Sequence, residues 1–235
     1  SLKVIKAGKA DNFWGPTGSE GPCGPTTEIY INNVEIWNLV FNEYYKDANE
    51  KYSLLKTPGV DTGMGLERLA MAVQGKNNIF DTDLFQGPFN YFSFFGREGR
   101  IIADHLRGSI FLIADGVEPS NKGAGYILRR LIRRIVVISK INSISLELLN
   151  TRIKEIINYF NFYKELVANE SKIIKEINDE MNKFNKIIEK GLNEFFKKYP
   201  EMKAQILVPG KPYEVHIIKR VSGEDAFYFH QTFGL

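Results

Sequence analysis

The sequence predicts an α+β chain in which a partial antiparallel sheet and one closing helix come first and a mainly α-helical region follows. Three observations carry this expectation. Residues 26–31 and 34–45 are dominated by β-branched and aromatic side chains, the composition of strands. Residues 59–65, GVDTGMG, lead from an extended run into an apolar-periodic helix. From Asp81 onward the apolar spacing is helical almost throughout.

Taken in order, residues 2–7 are a short strand candidate, and residues 15–25, rich in glycine and proline, read as a loop. The two β-rich runs come next. After GVDTGMG, Leu66, Leu69, Ala70 and Val73 mark one face of a helix that Gly75 ends. Asp81, Thr82 and Asp83 supply capping side chains for a further helix, and residues 98–114 read as another. A polar loop at 116–122 precedes an amphipathic helix at 125–140. Residues 145–199 hold two long helices with ten basic and nine acidic residues, a balance typical of solvated faces. Residues 207–219 form a short strand or loop, and helix returns at 223–234. A boundary near residues 80–96 divides a first domain, 1–85, from a second, 86–235.

Composition sets limits on function. With 43% hydrophobic and 25% charged residues the chain can bury an ordinary core. Cys23 is the only cysteine, which excludes an intrachain disulfide and a zinc cluster built from thiolates. A reducing, cytoplasmic setting is the simplest expectation. No apolar run approaches the roughly 18 residues of a membrane span, so no membrane partner is expected. His105, His216 and His230 are scattered without metal-ligand spacing and read as structural, and Cys23 reads as a small packed side chain. The chain starts at Ser1 without methionine and stops at Leu235 within an apolar, helix-like stretch, so both ends are expected to be cuts in a longer chain.

The most specific string is GVDTGMGLERL, residues 59–69. A strand delivers Asp61 near its end, and Gly63 and Gly65 let the backbone come close to a ligand. The helix then opens with Glu67 and Arg68 in its first turn. A helix start beside glycines suits an anion, and an arginine there adds a planar fork for phosphate. The same pattern also fits a plain strand–helix junction with Arg68 in a surface salt bridge.

A second constellation lies downstream. Between Arg97 and Lys140 nine basic residues stand against four acidic ones, an excess larger than the net +3 of the whole chain. On a helical wheel Arg129, Arg130, Arg133 and Arg134 fall within one arc, with Ile127, Leu128, Leu131, Ile132, Ile135 and Val136 on the other side. Such a helix can pack by one face and offer four guanidiniums to a phosphate backbone. Alternatively, the arginines pair with acids elsewhere in the fold.

GVDTGMGLERL resembles motif 3 of class II aminoacyl-tRNA synthetases in its alanine-specific form. Four more strings resemble the alanyl-tRNA synthetase family in the family's order: NFW (12–14), GPCGP (21–25), EIWNLVF (35–41) and IADGVEPSN with GYILRRLIRR (113–134). Together they run from residue 12 to residue 134. The resemblance implies part of a class II antiparallel sheet with its motif 3 helix, followed by a helical tRNA-recognition domain. It implies an alanine pocket made from Trp14, Asn38, Val40, Asp61 and Gly63. Asp61 would take the α-ammonium, and Val40 and Trp14 would wall a single methyl group. Asn38 and Val40, two apart on one strand, share a face. Arg68 is implied as the catalytic, ATP-phosphate-binding arginine, with Gly65 beside it. Glu35 is implied as a ligand of Mg2+, although its odd spacing from Asn38 predicts the opposite face unless the strand kinks.

The implied reaction is attack of alanine's carboxylate on the α-phosphorus of ATP, then transfer of the alanyl group to tRNA(Ala), work done mainly by positioning and charge stabilisation. For tRNA, the resemblance implies Asn121 as the amide that reads a G·U wobble pair in the acceptor stem, with Lys122, Arg129, Arg130, Arg133 and Arg134 nearby. Two positions depart from the family pattern: Ala124 replaces an arginine, and Gln231 stands where an aspartate also addresses that pair. Motifs 1 and 2 have no counterpart in these residues, so the chain alone is expected not to form alanyl-adenylate. A methyl-sized pocket excludes glycine and serine poorly, which the family meets with a separate editing domain, and no counterpart of that domain's metal site is expected here. Two other readings stay open: a free-standing RNA-binding module with a vestigial nucleotide site, and a purely structural helical scaffold.

Overall fold

The computed structural model describes residues 3–16, 18–200 and 221–233. The fold is α+β, and the chain divides into two compact units between Gln86 and Gly87.

The first unit is built on a four-stranded antiparallel sheet in the order β1 (Phe13–Trp14), β2 (Gly21–Ile31), β3 (Val34–Lys46), β4 (Tyr52–Met64). Asn32 and Asn33, both at positive φ (50° and 64°), make the two-residue turn between β2 and β3. Such a turn matches the strands' twist, and asparagine tolerates the left-handed backbone better than most residues. The Asp47 carboxylate accepts hydrogen bonds from the backbone N–H groups of Asn49 and Lys51 at 2.9 and 2.8 Å, closing the turn into β4. Helix α1 (Leu66–Val73) follows β4 directly and stops just before Gly75, whose φ of +61° suits glycine.

Three local expectations are corrected here. Residues 3–7 do not form a strand: Val4 and Ile5 are three-quarters exposed, and no strand among the described residues pairs with them. Residues 21–25 are not loop but the start of β2. Gly24 is required there because a Cβ would stand 1.7 Å from the Phe41 carbonyl oxygen. Around residues 78–85 the capping side chain is that of Asn78, which accepts from Phe80 N–H at 3.1 Å. What it caps is a short 3₁₀ turn, Ile79–Asp81, followed by a second, Asp83–Phe85.

The second unit begins with a third 3₁₀ stretch, Gly87–Phe95, and continues through α2 (Gly96–Ala114), α3 (Gly123–Ile141), α4 (Leu146–Tyr159), α5 (Lys164–Ala168), α6 (Glu170–Lys198) and α7 (Gly223–Phe233). The segment read as two long helices is thus three, with α5 a single short turn between them. Its core is one apolar stripe from each of four helices: Ile102, Leu106 and Ile110 of α2, Leu128, Ile132 and Ile135 of α3, Ile153 and Ile156 of α4, Ile173 and Ile177 of α6, all essentially inaccessible to water. A smaller aromatic cluster, Tyr199 with Phe229 and Phe233, seats α7 against the end of α6. The strand or loop expected at 207–219, and with it His216, lies outside the described residues. No described helix is long and apolar enough to cross a membrane.

Candidate functional site

In the first unit, cross-strand pairing decides which side chains meet. Val40 of β3 stands opposite Asp61 of β4 on one side and Thr26 of β2 on the other. Two residues earlier, Asn38 stands opposite Gly63 and Glu28. Directly paired residues in an antiparallel sheet project from the same face, and so do residues two apart. Asn38, Val40, Asp61, Gly63, Thr26 and Glu28 therefore share one face. Val40 is buried, while Asp61 is exposed and its carboxylate makes no hydrogen bond to a described residue. A Cβ added at Gly63 would meet nothing within 4 Å, so this face stays open to a ligand.

Trp14 of β1 pairs with Gly24, two residues before Thr26, and Asn12 accepts at Oδ1 from the Thr26 hydroxyl at 3.5 Å. Phe13 turns the other way and packs edge-on against Tyr52. The β2–β3 register shifts between Cys23 and Thr26, so the pairing of Trp14 with Gly24 puts Trp14 at the β1 edge of the sheet without assigning it to the face of Val40.

The register explains Glu35. Tyr30 pairs with Glu35 whereas Ile29 pairs with Trp37, so Ile36 is an extra, bulged residue in β3. The bulge reverses the alternation and brings Glu35 onto the face of Asn38. This is the kink that the odd spacing demanded. The same bulge anchors the helix start: Gly65 N–H donates to the Ile36 carbonyl at 3.1 Å. Arg68 reaches back so that its Nη1 donates to the Glu35 carbonyl at 3.0 Å and lies 3.4 Å from Glu35 Oε2. Its side chain is still half exposed.

Glu28 is a member of this face that motif reading missed. One of its carboxylate oxygens accepts from the Tyr30 hydroxyl and the other lies 3.5 Å from Asn38 Nδ2. The hydrogen bond to Glu28, with burial and the Glu28 and Glu35 charges, raises the Tyr30 phenol above its ordinary range; Arg68 opposes this. The alternation Thr26, Glu28, Tyr30 along β2 could have revealed it. The buried Oδ1 of Asn38 has no hydrogen-bond partner, which leaves that amide an acceptor facing the same surface. Face by face, the arrangement offers an anionic group for an ammonium, a cation for phosphate, two carboxylates between them, and an apolar floor.

In the second unit, the four arginines of α3 do not behave alike. Arg130 and Arg134 are exposed, and Arg130 lies over the Tyr126 ring at 5.9 Å. Arg129 and Arg133 instead pair with Glu180 of α6, through Nε at 3.4 and 2.6 Å. At about 100° per residue those two sit at the margin of the buried stripe, while Arg130 and Arg134 sit opposite it. The same geometry exposes Ile127, which is 47% accessible. The expectation of four guanidiniums offered together is therefore corrected to two.

Asn121 and Lys122 occupy the exposed loop before α3. Arg129 Nη1 donates to the Ser120 carbonyl at 3.4 Å and to Asn121 Oδ1. Gly125 lets this loop fold back tightly: a Cβ there would stand 2.3 Å from the Glu118 carbonyl oxygen. Gln231 lies on an exposed face of α7. His105 pairs with its neighbour Asp104 at 3.2 Å. Among the described residues no group of three or more His, Cys, Asp or Glu is gathered as a metal site.

Comparison with known proteins adds to this geometry. A family profile described as tRNA synthetases class II (A) matches residues 32–235. The chain is 37% identical to the alanine–tRNA ligase of Borreliella afzelii strain PKo, over 99% of this chain and 42% of that protein. It is 34% identical to the alanine–tRNA ligase of Thermoanaerobacter sp. strain X514, over 99% of this chain and 29% of that one. Against the alanine–tRNA ligase of Petrotoga mobilis the figures are 36%, 89% and 28%. The chain spans less than half the length of these relatives.

Proposed function

The chain belongs to the class II tRNA synthetases (A), and on that footing we propose that its first unit is the later part of an aminoacylation domain that activates alanine, and its second a helical domain that grips tRNA(Ala). The observation that carries the reading is the pairing of Val40 with Asp61 and Asn38 with Gly63 on one sheet face, beside Arg68.

Asp61 fixes the α-ammonium of alanine, Asn38 supplies an amide beside it, and Val40 and Trp14 wall the methyl group. Gly63 leaves the backbone accessible, and Gly65 starts the helix that carries Arg68. Arg68 holds ATP phosphate and, as a permanent cation, stabilises charge as alanine's carboxylate attacks the α-phosphorus and pyrophosphate leaves. Mg2+ binds through one or two carboxylates plus substrate phosphates, and Glu28 and Glu35 fit that demand. Bound there, it would neutralise charge on the phosphate oxygens. In the second unit Arg130, Arg134 and Lys122 meet the phosphates of the acceptor stem, and Asn121, with Gln231, reads base edges.

The 235 residues alone are proposed not to form the adenylate, since nothing in them resembles motif 2. Calorimetric titration with a non-hydrolysable alanyl-adenylate analogue tests the pocket, and pyrophosphate exchange tests the reaction. Binding without exchange fits the reading; no binding, or robust exchange by the chain alone, contradicts it.

A further inference from the structure

Glu180 is 5% exposed, set in the stripe that α6 buries alongside Ile177, Met181 and Phe184. A carboxylate in such a place is costly unless it is paired, and two guanidiniums pair it. Arg133 takes the closer contact, 2.6 Å, and its guanidinium lies over the Phe184 ring at 4.7 Å, so both of these contacts hold it to α6. Arg129 holds Glu180 more loosely, at 3.4 Å through Nε, and this leaves its Nη1 to reach the Ser120 carbonyl and Asn121 Oδ1. One rigid guanidinium thus spans from the buried carboxylate of α6 to the exposed amide of the loop. The five donors of its planar fork make that possible; a lysine has one nitrogen and cannot bridge both ends.

The amide's orientation follows. With Oδ1 committed to a permanent cation, Asn121 keeps its Nδ2 donors for whatever approaches the loop. We propose that Glu180 is a positioning residue for RNA discrimination, acting through Arg129 to hold the Asn121 amide with its donors outward, and that Arg129 serves this bridge rather than an RNA phosphate. The inference rests on Asn121 reading the RNA stem.

The test uses the 235-residue chain and two RNA hairpins that differ only in one stem pair, G·U in one and G·C in the other, followed by fluorescence anisotropy at fixed salt. The wild-type chain prefers the G·U hairpin by about tenfold, the usual scale for one altered base pair. Glu180→Gln and Arg129→Lys each bring that ratio to about one, while affinity for the G·C hairpin changes by less than about twofold, because no phosphate contact is lost. Asn121→Ala also removes the preference, and adding Glu180→Gln to it changes nothing more. If Glu180→Gln fails to fold by circular dichroism, Arg129→Lys, which keeps a cation beside Glu180, decides alone. Retained preference in a folded variant overturns the proposal, as does an equal loss of affinity for both hairpins. Preference retained in Asn121→Ala, or absent from the wild type, instead refutes the reading of Asn121 and the bridge with it.

Discussion

Val40 and Asp61 stand directly opposite one another on adjacent antiparallel strands, so a buried apolar side chain and an exposed carboxylate share one sheet face. That face suits a ligand that carries a cationic group within a few ångströms of a small apolar one. An α-amino acid with a methyl side chain meets that description.

Removing the charge of Asp61 tests the ammonium contact. Asp61→Asn lowers affinity for an alanyl-adenylate analogue by about 1.5–3 kcal/mol, roughly 10- to 150-fold, the worth of a charged hydrogen bond. Calorimetry reads the loss, and unchanged thermal unfolding shows that the fold is intact, since Asp61 is exposed.

The pairing of β2 with β3 depends on a missing side chain. Gly24→Ala puts a Cβ into the Phe41 carbonyl, which is backbone and cannot step aside. A loss of about 3 kcal/mol or more in denaturant unfolding of the first unit is expected. Gly59→Ala, whose Cβ meets nothing within 4 Å, serves as the control and leaves stability within about 0.5 kcal/mol.

The division among the α3 arginines has its own signature. Arg130→Ala and Arg134→Ala each reduce the slope of log affinity against log salt for RNA by about one. Arg133→Ala leaves that slope alone and destabilises the second unit by about 1–3 kcal/mol. This is less than a fully buried pair would cost, because its side chain remains 28% exposed. Salt titrations and denaturant unfolding separate the two effects.

Acid should loosen α7. Hydrogen bonds from Lys198 first, then Tyr199, hold the Asp225 carboxyl below its usual range, and the same contact holds the Lys198 ammonium above its own. A depressed carboxyl contributes stability above the ordinary aspartate range near ~4 and loses it as pH falls through the folded value. A raised ammonium contributes below the ordinary lysine range near ~10.4 and fails only above it. Wild type therefore melts higher than Asp225→Asn at neutral pH, and the gap closes below about pH 4. Thermal melts of both across pH 3–7 would check this; a gap independent of pH would contradict it.

Strand β3, most of β2 and helix α1 were legible because their patterns are local: β-branched and aromatic runs, then an apolar helical period that Gly75 ends; of β4 only the end that carries Asp61 was read. Motif reading placed Asn38, Val40, Asp61 and Gly63 together, and the register of β3 with β4 brings them to one face. The start of β2 was not legible, since Gly24 and Pro25 signal a turn and the Phe41 carbonyl that requires the glycine is seventeen residues further on. The bulge at Ile36 left no mark in composition, so the face of Glu35 could be stated only as a condition. Likewise, a helical wheel locates the arginines of α3 but not their acceptor, because Glu180 lies 51 residues after Arg129.

The most direct test of the central claim is a crystal structure of the chain bound to a non-hydrolysable alanyl-adenylate analogue. The account predicts the ligand ammonium within hydrogen-bond distance of Asp61, its methyl group against Val40, and its phosphate-side atoms beside Arg68. A ligand bound elsewhere, or one that meets Arg68 while its ammonium avoids Asp61, would contradict it.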